Sequence, residues 1–224
     1  MKILLVSDAE QTAIWNWSPG IQEILSGVSL VLSAGDLMPE YLEFLVTMMN
    51  VPVLYIRGNH DSRYDEHPPE GCLDIDEQVV EIRYDPATGR AEVTDSRWQP
   101  AEDRPGQRCL RIAGLGGSMR YRKGIDMYTE REMARRVRRL RWKLRLSRRR
   151  PDILLTHAPS FRHGDMPDLA HMGFRCFNDL LEEFRPGWHC YGHVHLNYGR
   201  FDRVTEHPCG TTLINCYGYH VLEV

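Results

Sequence analysis

Five short, mainly apolar runs along the chain each end in a polar turn. They cover residues 2–6, 28–33, 51–56, 153–155 and 188–191. A continuous apolar run of this length, bounded by turn residues, is typical of a strand that is buried on both faces. The pattern therefore predicts at least five core strands whose carboxyl ends open into polar loops.

Segments with a helical spacing of apolar residues lie between these strands. Residues 39–49 repeat apolar side chains every three or four positions after a proline in the first turn, and a short helix is expected from about Ile21. A strong helical pattern covers 128–147, where Thr129 precedes an acidic first turn, as an N-cap does, and a further helix is expected over 174–184. Strands that alternate with helices predict an α/β architecture, in which ligands bind outside the carboxyl ends of the strands.

The middle of the chain has a different amino-acid composition. Residues 64–107 are rich in Pro, Asp, Glu and Gly, and we expect an insertion or lid there. Inside it, residues 78–84 and 90–94 flank a turn and predict a β-hairpin. The glycine cluster at 114–118 favours a tight turn over a phosphate cradle. The alternating tail from 211 to 224 predicts one or two closing strands.

Composition narrows the class of protein. A chain of 224 residues with 42% hydrophobic residues is long enough for one domain with its own core, and we expect a single domain over residues 1–224. No apolar run approaches the ~20 residues of a membrane span, and the N-terminal run is too short for a signal peptide, so we expect a cytoplasmic protein. Six cysteines without Cys-x-x-Cys spacing predict free thiols.

The polar turns after the strands carry side chains that bind divalent metals. These candidate donors are Asp8, Glu10, Asp36, Asn59, His60, His157, His193 and His195. Mixed carboxylate, amide and imidazole donors suit Mn, Fe or Zn, and they outnumber the ligands that one tetrahedral zinc takes. The set predicts two divalent metal ions ~3.5–4 Å apart, with Asp36 as the natural bridge.

The order of the motifs resembles that of the calcineurin-like metallophosphoesterases, and the third motif is similar to that of bacterial phosphodiesterase-like members. The motifs are Asp8-Ala9-Glu10, Gly35-Asp36, Gly58-Asn59-His60-Asp61, Thr156-His157 and Gly192-His193-Val194-His195. The resemblance implies a four-layer α-β-β-α sandwich of two facing mixed sheets, with the metal site at the carboxyl ends of the strands.

The same resemblance implies roles for the donors. Metal one would be held by Asp8, Asp36, His195 and whatever Glu10 supplies, and metal two by Asp36, Asn59, His157 and His193. The implied reaction is hydrolysis of a phosphomonoester or phosphodiester, on a small phosphorylated substrate, by a hydroxide held between the metals. His60, oriented by Asp61 or another carboxylate, would contact the phosphate and protonate the leaving group.

The first motif departs from the family pattern, because Glu10 stands where a histidine is usual. Glu10 could bind metal one directly or through water, or it could face away and leave that metal short of a ligand. The second motif lacks the Gly-Asp-x-Val-Asp-Arg-Gly run of the serine/threonine protein phosphatases, which argues against that activity. Asp165, Asp168 and His171 are possible groups at the mouth of the site, or parts of a hydrogen-bonded loop.

An arginine-rich segment covers residues 131–150. It contains eleven Arg or Lys residues, and without them the formal charge of the chain would be −14 instead of −3. Either the segment is a surface helix whose arginine stems cover the core, or it binds a polyanion such as nucleic acid or an anionic surface. The sequence thus leaves two alternatives to a small-molecule phosphoesterase: a nucleic-acid phosphodiesterase that uses this helix, and a non-catalytic binding module with a weakened metal one.

Overall fold

The computed structural model of the protein describes residues 1–94, 106, 108–146, 149–200 and 202–224. Its fold is mixed α/β and contains two mixed sheets and a small two-stranded ribbon. The predicted α/β class is confirmed, because the apolar runs form strands and the segments with helical spacing form helices.

The first sheet carries three of the predicted core strands. Its strands are β1 (Lys2–Ser7), β2 (Val28–Ser33), β3 (Val53–Tyr55), β4 (Leu73–Asp74) and β14 (Gly218–Glu223). They lie in the order β14-β1-β2-β3-β4, with β1 to β4 parallel and β14 antiparallel to β1. The carboxyl ends of β1, β2 and β3 therefore meet at one edge of the sheet.

The second sheet carries the other two predicted strands. Its strands are β5 (Val79–Asp85), β6 (Arg90–Thr94), β7 (Arg108–Leu115), β10 (Ile153–Thr156), β11 (Trp188–Tyr191), β12 (Val204–Glu206) and β13 (Thr212–Asn215). They lie in the order β12-β13-β11-β10-β7-β5-β6. Strands β7, β10, β11 and β13 are parallel, and β5, β6 and β12 run against their neighbours. The short ribbon pairs β8 (Ser118–Met119) with β9 (Met127–Tyr128).

In the described part of the chain, five α-helices cover the sheets. They are α1 (Thr12–Trp15), α2 (Pro19–Ile24), α3 (Pro39–Met49), α4 (Glu130–Leu146) and α5 (Arg175–Phe184). The bounds of α3 match the prediction. Helix α2 begins two residues earlier than predicted, because the Ser18 hydroxyl accepts a hydrogen bond from the Ile21 amide at 3.4 Å and Pro19 occupies the first helical position, where its missing N–H costs nothing.

The segment predicted as an insertion or lid contributes strands to both sheets. Its described part begins with a 3₁₀ turn at Ser62–Asp65, adds β4 to the first sheet and supplies the predicted hairpin, β5 and β6, to the second. Residues 95–105 and 107 lie outside the described residues. A lid role for this segment stays a prediction.

Three apolar clusters hold the elements together. One combines residues of both sheets, among them Leu5, Leu32, Leu54, Ile112, Leu155 and Ile214. A second packs α1, α2 and α3 on the first sheet through residues such as Ile14, Ile21, Tyr41 and Leu45. A third packs α4 and α5 on the second sheet through Met133, Leu140, Phe177 and Leu181. These clusters are consistent with the four-layer order that the resemblance implies, which stays a prediction.

Helix α4 begins at the capping box that its sequence predicts. The Thr129 amide donates to Glu132 Oε2 at 2.7 Å, and the Glu132 amide donates to Thr129 Oγ1 at 3.3 Å. The apolar face of the helix, Met133, Val137, Leu140 and Leu144, is buried. Arg148 of the arginine-rich segment lies outside the described residues.

One arginine of this segment is buried, which the sequence did not indicate. The Arg136 guanidinium is 6% exposed; it donates to Asp76, to Glu77 at 2.7 Å and to the Gly116 carbonyl at 2.6 Å. It also lies over the Tyr128 ring, 4.3 Å from its centroid. Arg136 thus ties α4 to the loop that follows β4.

All six cysteines are free thiols, as predicted. No helix in the described part of the chain combines the length and apolarity that crossing a bilayer requires.

We predict that Arg136→Met lowers the free energy of unfolding by about 2–3 kcal/mol, because it leaves the carboxylate of Asp76 without its charged partner. The control is Arg138→Met in the same helix, where the side chain is exposed and the change is expected to stay within about 0.5 kcal/mol. Urea unfolding followed by circular dichroism measures both. Equal losses in the two variants would contradict the role of Arg136.

Candidate metal centre

The turns after β1, β2, β3, β10 and β11 converge where the two sheets meet. The Asp8 amide donates to the Gly35 carbonyl at 3.1 Å, which joins the turns after β1 and β2. The His193 amide donates to Asp8 Oδ2 at 2.9 Å, which joins the turn after β11 to the first sheet. The predicted donors of both sheets therefore face a common volume.

Asp36, His157 and His193 lie closest to one another. Each offers one ligand atom, and these atoms all lie within 4.8 Å of one another. His157 Nε2 lies 3.4 Å from Asp36 Oδ2, and the rings of His157 and His193 have centroids 4.9 Å apart. Among the described residues this is the one cluster of three His, Cys, Asp or Glu side chains with metal-ligand spacing.

The tautomer of His157 is set by its surroundings. Its Nδ1 lies 2.7 Å from the Ala34 carbonyl, which can only accept, so Nδ1 carries the proton and donates it. Its Nε2 lies 3.1 Å from Asn59 Oδ1 and 3.4 Å from Asp36 Oδ2, two oxygens that only accept, so this nitrogen either donates a second proton or binds a cation together with them. A deprotonated Nε2 would face these oxygens without a donor, so the three atoms require a proton or a metal ion among them.

The pKa values of His157 and Asp36 also indicate that a positive charge is stabilised between these side chains. Burial alone would lower the pKa of the His157 imidazole, but the charge and hydrogen bond of Asp36 raise it to about 10. Burial would raise the pKa of Asp36, but the His157 charge and hydrogen bonds lower it to about 2. A proton on His157 thus occupies the place where a divalent ion would sit, and the donor set fits such an ion.

His193 presents its other nitrogen. Its Nε2 lies 2.7 Å from the Ala170 carbonyl, so Nε2 donates and Nδ1 is available as a ligand. Burial, followed by the charge of His157, lowers the pKa of His193 to about 3, so its imidazole is neutral over the physiological range. A neutral imidazole is the form that binds metal.

Asp8 and His195 form the neighbouring part of the site. His195 Nε2 lies 3.8 Å from Asp8 Oδ1. The His195 ring is held between two tyrosines, stacked on Tyr198 with centroids 4.6 Å apart and tilted against Tyr217 at 4.7 Å. Burial raises the pKa of the Asp8 carboxyl to about 6, although the Ser7 hydroxyl donates a hydrogen bond to it. Sequence reasoning missed both tyrosines, although the three-residue spacing from His195 to Tyr198 suggests a contact across one turn.

The turns that carry these groups have unusual backbone conformations. Asp8, Asp36 and His193 all have positive φ angles, of 60°, 58° and 68°. A Cβ on Gly58 would lie 2.0 Å from Asp36 Oδ1 and 2.7 Å from His157 Cε1. Left-handed backbone costs a non-glycine residue free energy, least for Asp, Asn and His, and such residues cluster at functional sites. The glycine and the left-handed residues bring the donors together.

His60 and Asp61 have different surroundings. His60 is exposed, and its amide donates to Asp36 Oδ1 at 2.8 Å. Asp61 is buried, and its Oδ2 accepts hydrogen bonds from the amides of Gly58 at 2.6 Å and Asp36 at 2.9 Å. Burial and then the charge of Asp36 raise the pKa of Asp61 to about 7. Asp61 therefore holds the two turns together, and no hydrogen bond links it to the His60 ring in the described structure.

Glu10 directs both of its oxygens at protein donors. Its Oε2 accepts from the Trp15 indole nitrogen at 3.0 Å, and its Oε1 accepts from the Met38 amide at 3.0 Å. It thereby ties the turn after β1 to the start of α3. Its role as a ligand of metal one stays a prediction.

Asp165, Asp168 and His171 lie on the loop before α5. Asp165 accepts from the Gly173 amide at 3.1 Å, and Asp168 accepts from His171 Nδ1 at 2.9 Å. Both carboxylates therefore make hydrogen bonds within the loop. The His171 ring lies beside His193, with centroids 5.4 Å apart, so that this histidine stands at the edge of the site.

The glycine cluster at 114–118 forms hydrogen bonds with residues that lie beside the site. The Gly116 amide donates to Asp76 Oδ1 at 2.7 Å, and the Gly117 amide donates to the Arg57 carbonyl at 2.8 Å. These amides are used within the protein, which is what a tight structural turn requires. The cluster positions the turn after β3 and therefore Asn59.

The family of the chain follows from comparison with known sequences. The profile of the family described as calcineurin-like phosphoesterase matches residues 1–197. The chain belongs to this family, whose members are metal-dependent phosphoester hydrolases. A curated relative, the UPF0046 protein T07D4.2 of Caenorhabditis elegans, is 42% identical over 50 residues. That match covers 21% of this chain and 13% of the worm protein.

Solved structures share the fold. One crystal structure has a TM-score of 0.60 at 12% sequence identity, covering 99% of this chain and 94% of the other. The crystal structure of TT1561 of Thermus thermophilus has a TM-score of 0.56 at 14% identity, covering 96% of this chain and 88% of that protein. At these identities the likeness concerns the fold alone.

We predict that Gly58→Ala weakens Mn²⁺ binding about tenfold or more, because the new Cβ would displace Asp36 and His157. The control is Gly20→Ala in α2, where nothing lies within 4 Å of the added Cβ. Isothermal titration of the metal-stripped proteins with Mn²⁺ measures both affinities. Unchanged binding in Gly58→Ala would place the metal elsewhere.

Proposed function

We propose that the protein hydrolyses a phosphomonoester or phosphodiester with two divalent metal ions, of which Mn, Fe and Zn are the candidates. The observation that carries the proposal is the cluster of Asp36, His157 and His193, with all ligand atoms within 4.8 Å. Asn59 would complete the second metal position, and Asp8, Asp36 and His195 would supply the first. We further propose a small phosphorylated substrate and a cytoplasmic location.

The chemistry of the bound ions would be to neutralise the phosphoryl oxygens and to lower the pKa of a water molecule that attacks phosphorus. The protein's own contribution is to hold the donors in place. The Ala34 and Ala170 carbonyls fix the tautomers of His157 and His193. The stacked Tyr198 fixes the ring of His195.

His60 is proposed to act on the leaving group. It is exposed, while its amide is anchored to Asp36 at 2.8 Å, so its position relative to the metal cluster is fixed by the backbone. From there its imidazole could donate a proton to the departing oxygen. Asp61 would act indirectly, because its carboxylate holds the amides of Gly58 and Asp36.

The alternative of a non-catalytic binding module has less support. It would require a weakened first metal position, and Glu10 is the residue that permits this. The other donors are buried or partly buried and directed at one another, an arrangement that costs free energy unless a cation is bound. The complete donor set for the second metal position favours an enzyme.

We predict that Asp36→Asn lowers hydrolysis of aryl phosphates about 100-fold or more, since changing even the groups behind a metal ligand costs about 10- to 100-fold. Assays with bis-aryl and mono-aryl phosphates in Mn²⁺ also give the preferred ester class. The control is Asp179→Asn, a position on α5 away from the metal cluster. If the wild type binds metal but hydrolyses no substrate faster than Asp36→Asn does, the enzyme proposal is contradicted.

Glu10→His separates the two roles of Glu10. If Glu10 binds metal one, loss of its carboxylate lowers the metal content and the rate in Glu10→Gln as well as changing them in Glu10→His, and we predict this outcome; a change in Glu10→His alone would come from the added imidazole. The matched variant Trp15→Phe removes one hydrogen bond to Glu10 without adding a ligand. Inductively coupled plasma spectrometry and the aryl phosphate assay measure the effect. Unchanged metal content and rate in Glu10→His would show that Glu10 is structural.

A further inference from the structure

The outward side of α4 presents three arginines and a tryptophan in a line. Arg131, Arg135, Arg138 and Trp142 follow at spacings of four, three and four residues, which places them on one face of the helix. All four side chains are exposed, and Trp142 is 61% exposed. We call these four residues the arginine–tryptophan face.

The other cations of α4 already have partners. Arg136 and Arg139 bind Glu77, and Arg141 and Arg145 bind Glu183. Glu77 and Glu183 are thus used by these four arginines, and Glu132 of the same helix pairs with Arg120. Over the ranges that the structure describes, no ion pair or ring contact engages Arg131, Arg135 or Arg138. Among the described residues of α4, the ion pairs therefore leave Arg131, Arg135 and Arg138 unpaired.

These three arginines carry a positive charge that no ion pair in the described residues neutralises. The chain as a whole is at −3, so a row of unpaired arginines stands out on an otherwise acidic protein. Neighbouring Cβ atoms on this face are about 5–6 Å apart, so the guanidinium groups can each contact a separate charge of a polyanion. The partner that fits is an extended chain of negative groups.

Trp142 indicates which class of polyanion the face binds. Its ring stacks on no other aromatic ring in the described residues, yet it stands in line with Arg138, one helical turn away. Exposed aromatic rings beside cationic side chains stack on unpaired bases. We propose that the arginine–tryptophan face binds single-stranded nucleic acid, with the arginines on phosphates and Trp142 on a base. This binding does not depend on the proposed hydrolysis.

Other anionic partners would contact only some of the four residues of the arginine–tryptophan face. An acidic peptide would engage the arginines but leaves the exposed ring without a role. A membrane would require an apolar face, and the apolar face of α4 is buried in the core, which leaves Trp142 and Leu146 as its exposed apolar residues. A duplex hides the faces of its bases, so it could use the arginines alone.

The first test is the affinity for a labelled 12-nucleotide single strand, measured by fluorescence anisotropy with the full chain between 50 and 200 mM salt. The variant R131Q/R135Q/R138Q should bind at least tenfold more weakly than the wild type. Its plot of log affinity against log salt should be less steep by about 2, because each lost phosphate contact on a single strand removes about 0.7 from the slope.

The matched control is R90Q/R108Q/R122Q, which removes three exposed arginines elsewhere and changes the net charge by the same amount. Its affinity should stay within about threefold of the wild type, since only long-range attraction changes. The variant R131K/R135K/R138K keeps the charges and should keep most of the binding, which guards against misfolding as the cause of any loss.

Trp142→Ala tests the stacking contact and should weaken single-strand binding roughly tenfold, while Trp142→Phe keeps most of it. Neither change should alter binding to a duplex of the same sequence. The proposal is overturned if the wild type does not bind the strand at 50 mM salt, or if the two glutamine variants weaken binding equally. It is also overturned if Trp142→Ala has no effect, or if the face binds only anionic vesicles or an acidic peptide.

Discussion

The contact between His157 and Asp36 is the interaction on which the rest of the site depends. Asp36 follows β2 in the first sheet and His157 follows β10 in the second, and their side chains meet at 3.4 Å. The same imidazole donates to the Ala34 carbonyl at 2.7 Å. One ring therefore fixes the carboxyl ends of two strands from different sheets. Because the ring is fully buried, each of its nitrogens requires a hydrogen-bond partner or a bound ion.

The turns around this contact contain residues with left-handed backbone conformations. The left-handed conformations of Asp8, Asp36 and His193 are each less stable than ordinary extended backbone. Packing of the two sheets through their shared apolar cluster holds these turns in place. Stability in the core thus maintains a polar site that would not form in an isolated loop.

Much of this arrangement could be read from the sequence. Apolar runs that end in Asp, Asn or His predict both the strands and the edge at which the donors meet, because parallel strands bring their carboxyl ends together. The burial of Arg136 could not be read, since its partners Asp76 and Glu77 are about 60 residues away in the chain. The partners of Glu10 were hidden for a related reason, because the Met38 amide is brought close only by the pairing of β1 with β2.

The central claim is that a divalent ion binds between Asp36, His157 and His193, at the place where the two sheets meet. Crystals grown with Mn²⁺ and measured at the manganese absorption edge test it directly. The account predicts an anomalous peak within bonding distance of an Asp36 oxygen, His157 Nε2 and His193 Nδ1. A well-ordered crystal with manganese only at other positions, and with His157 still paired to Asp36, would contradict it.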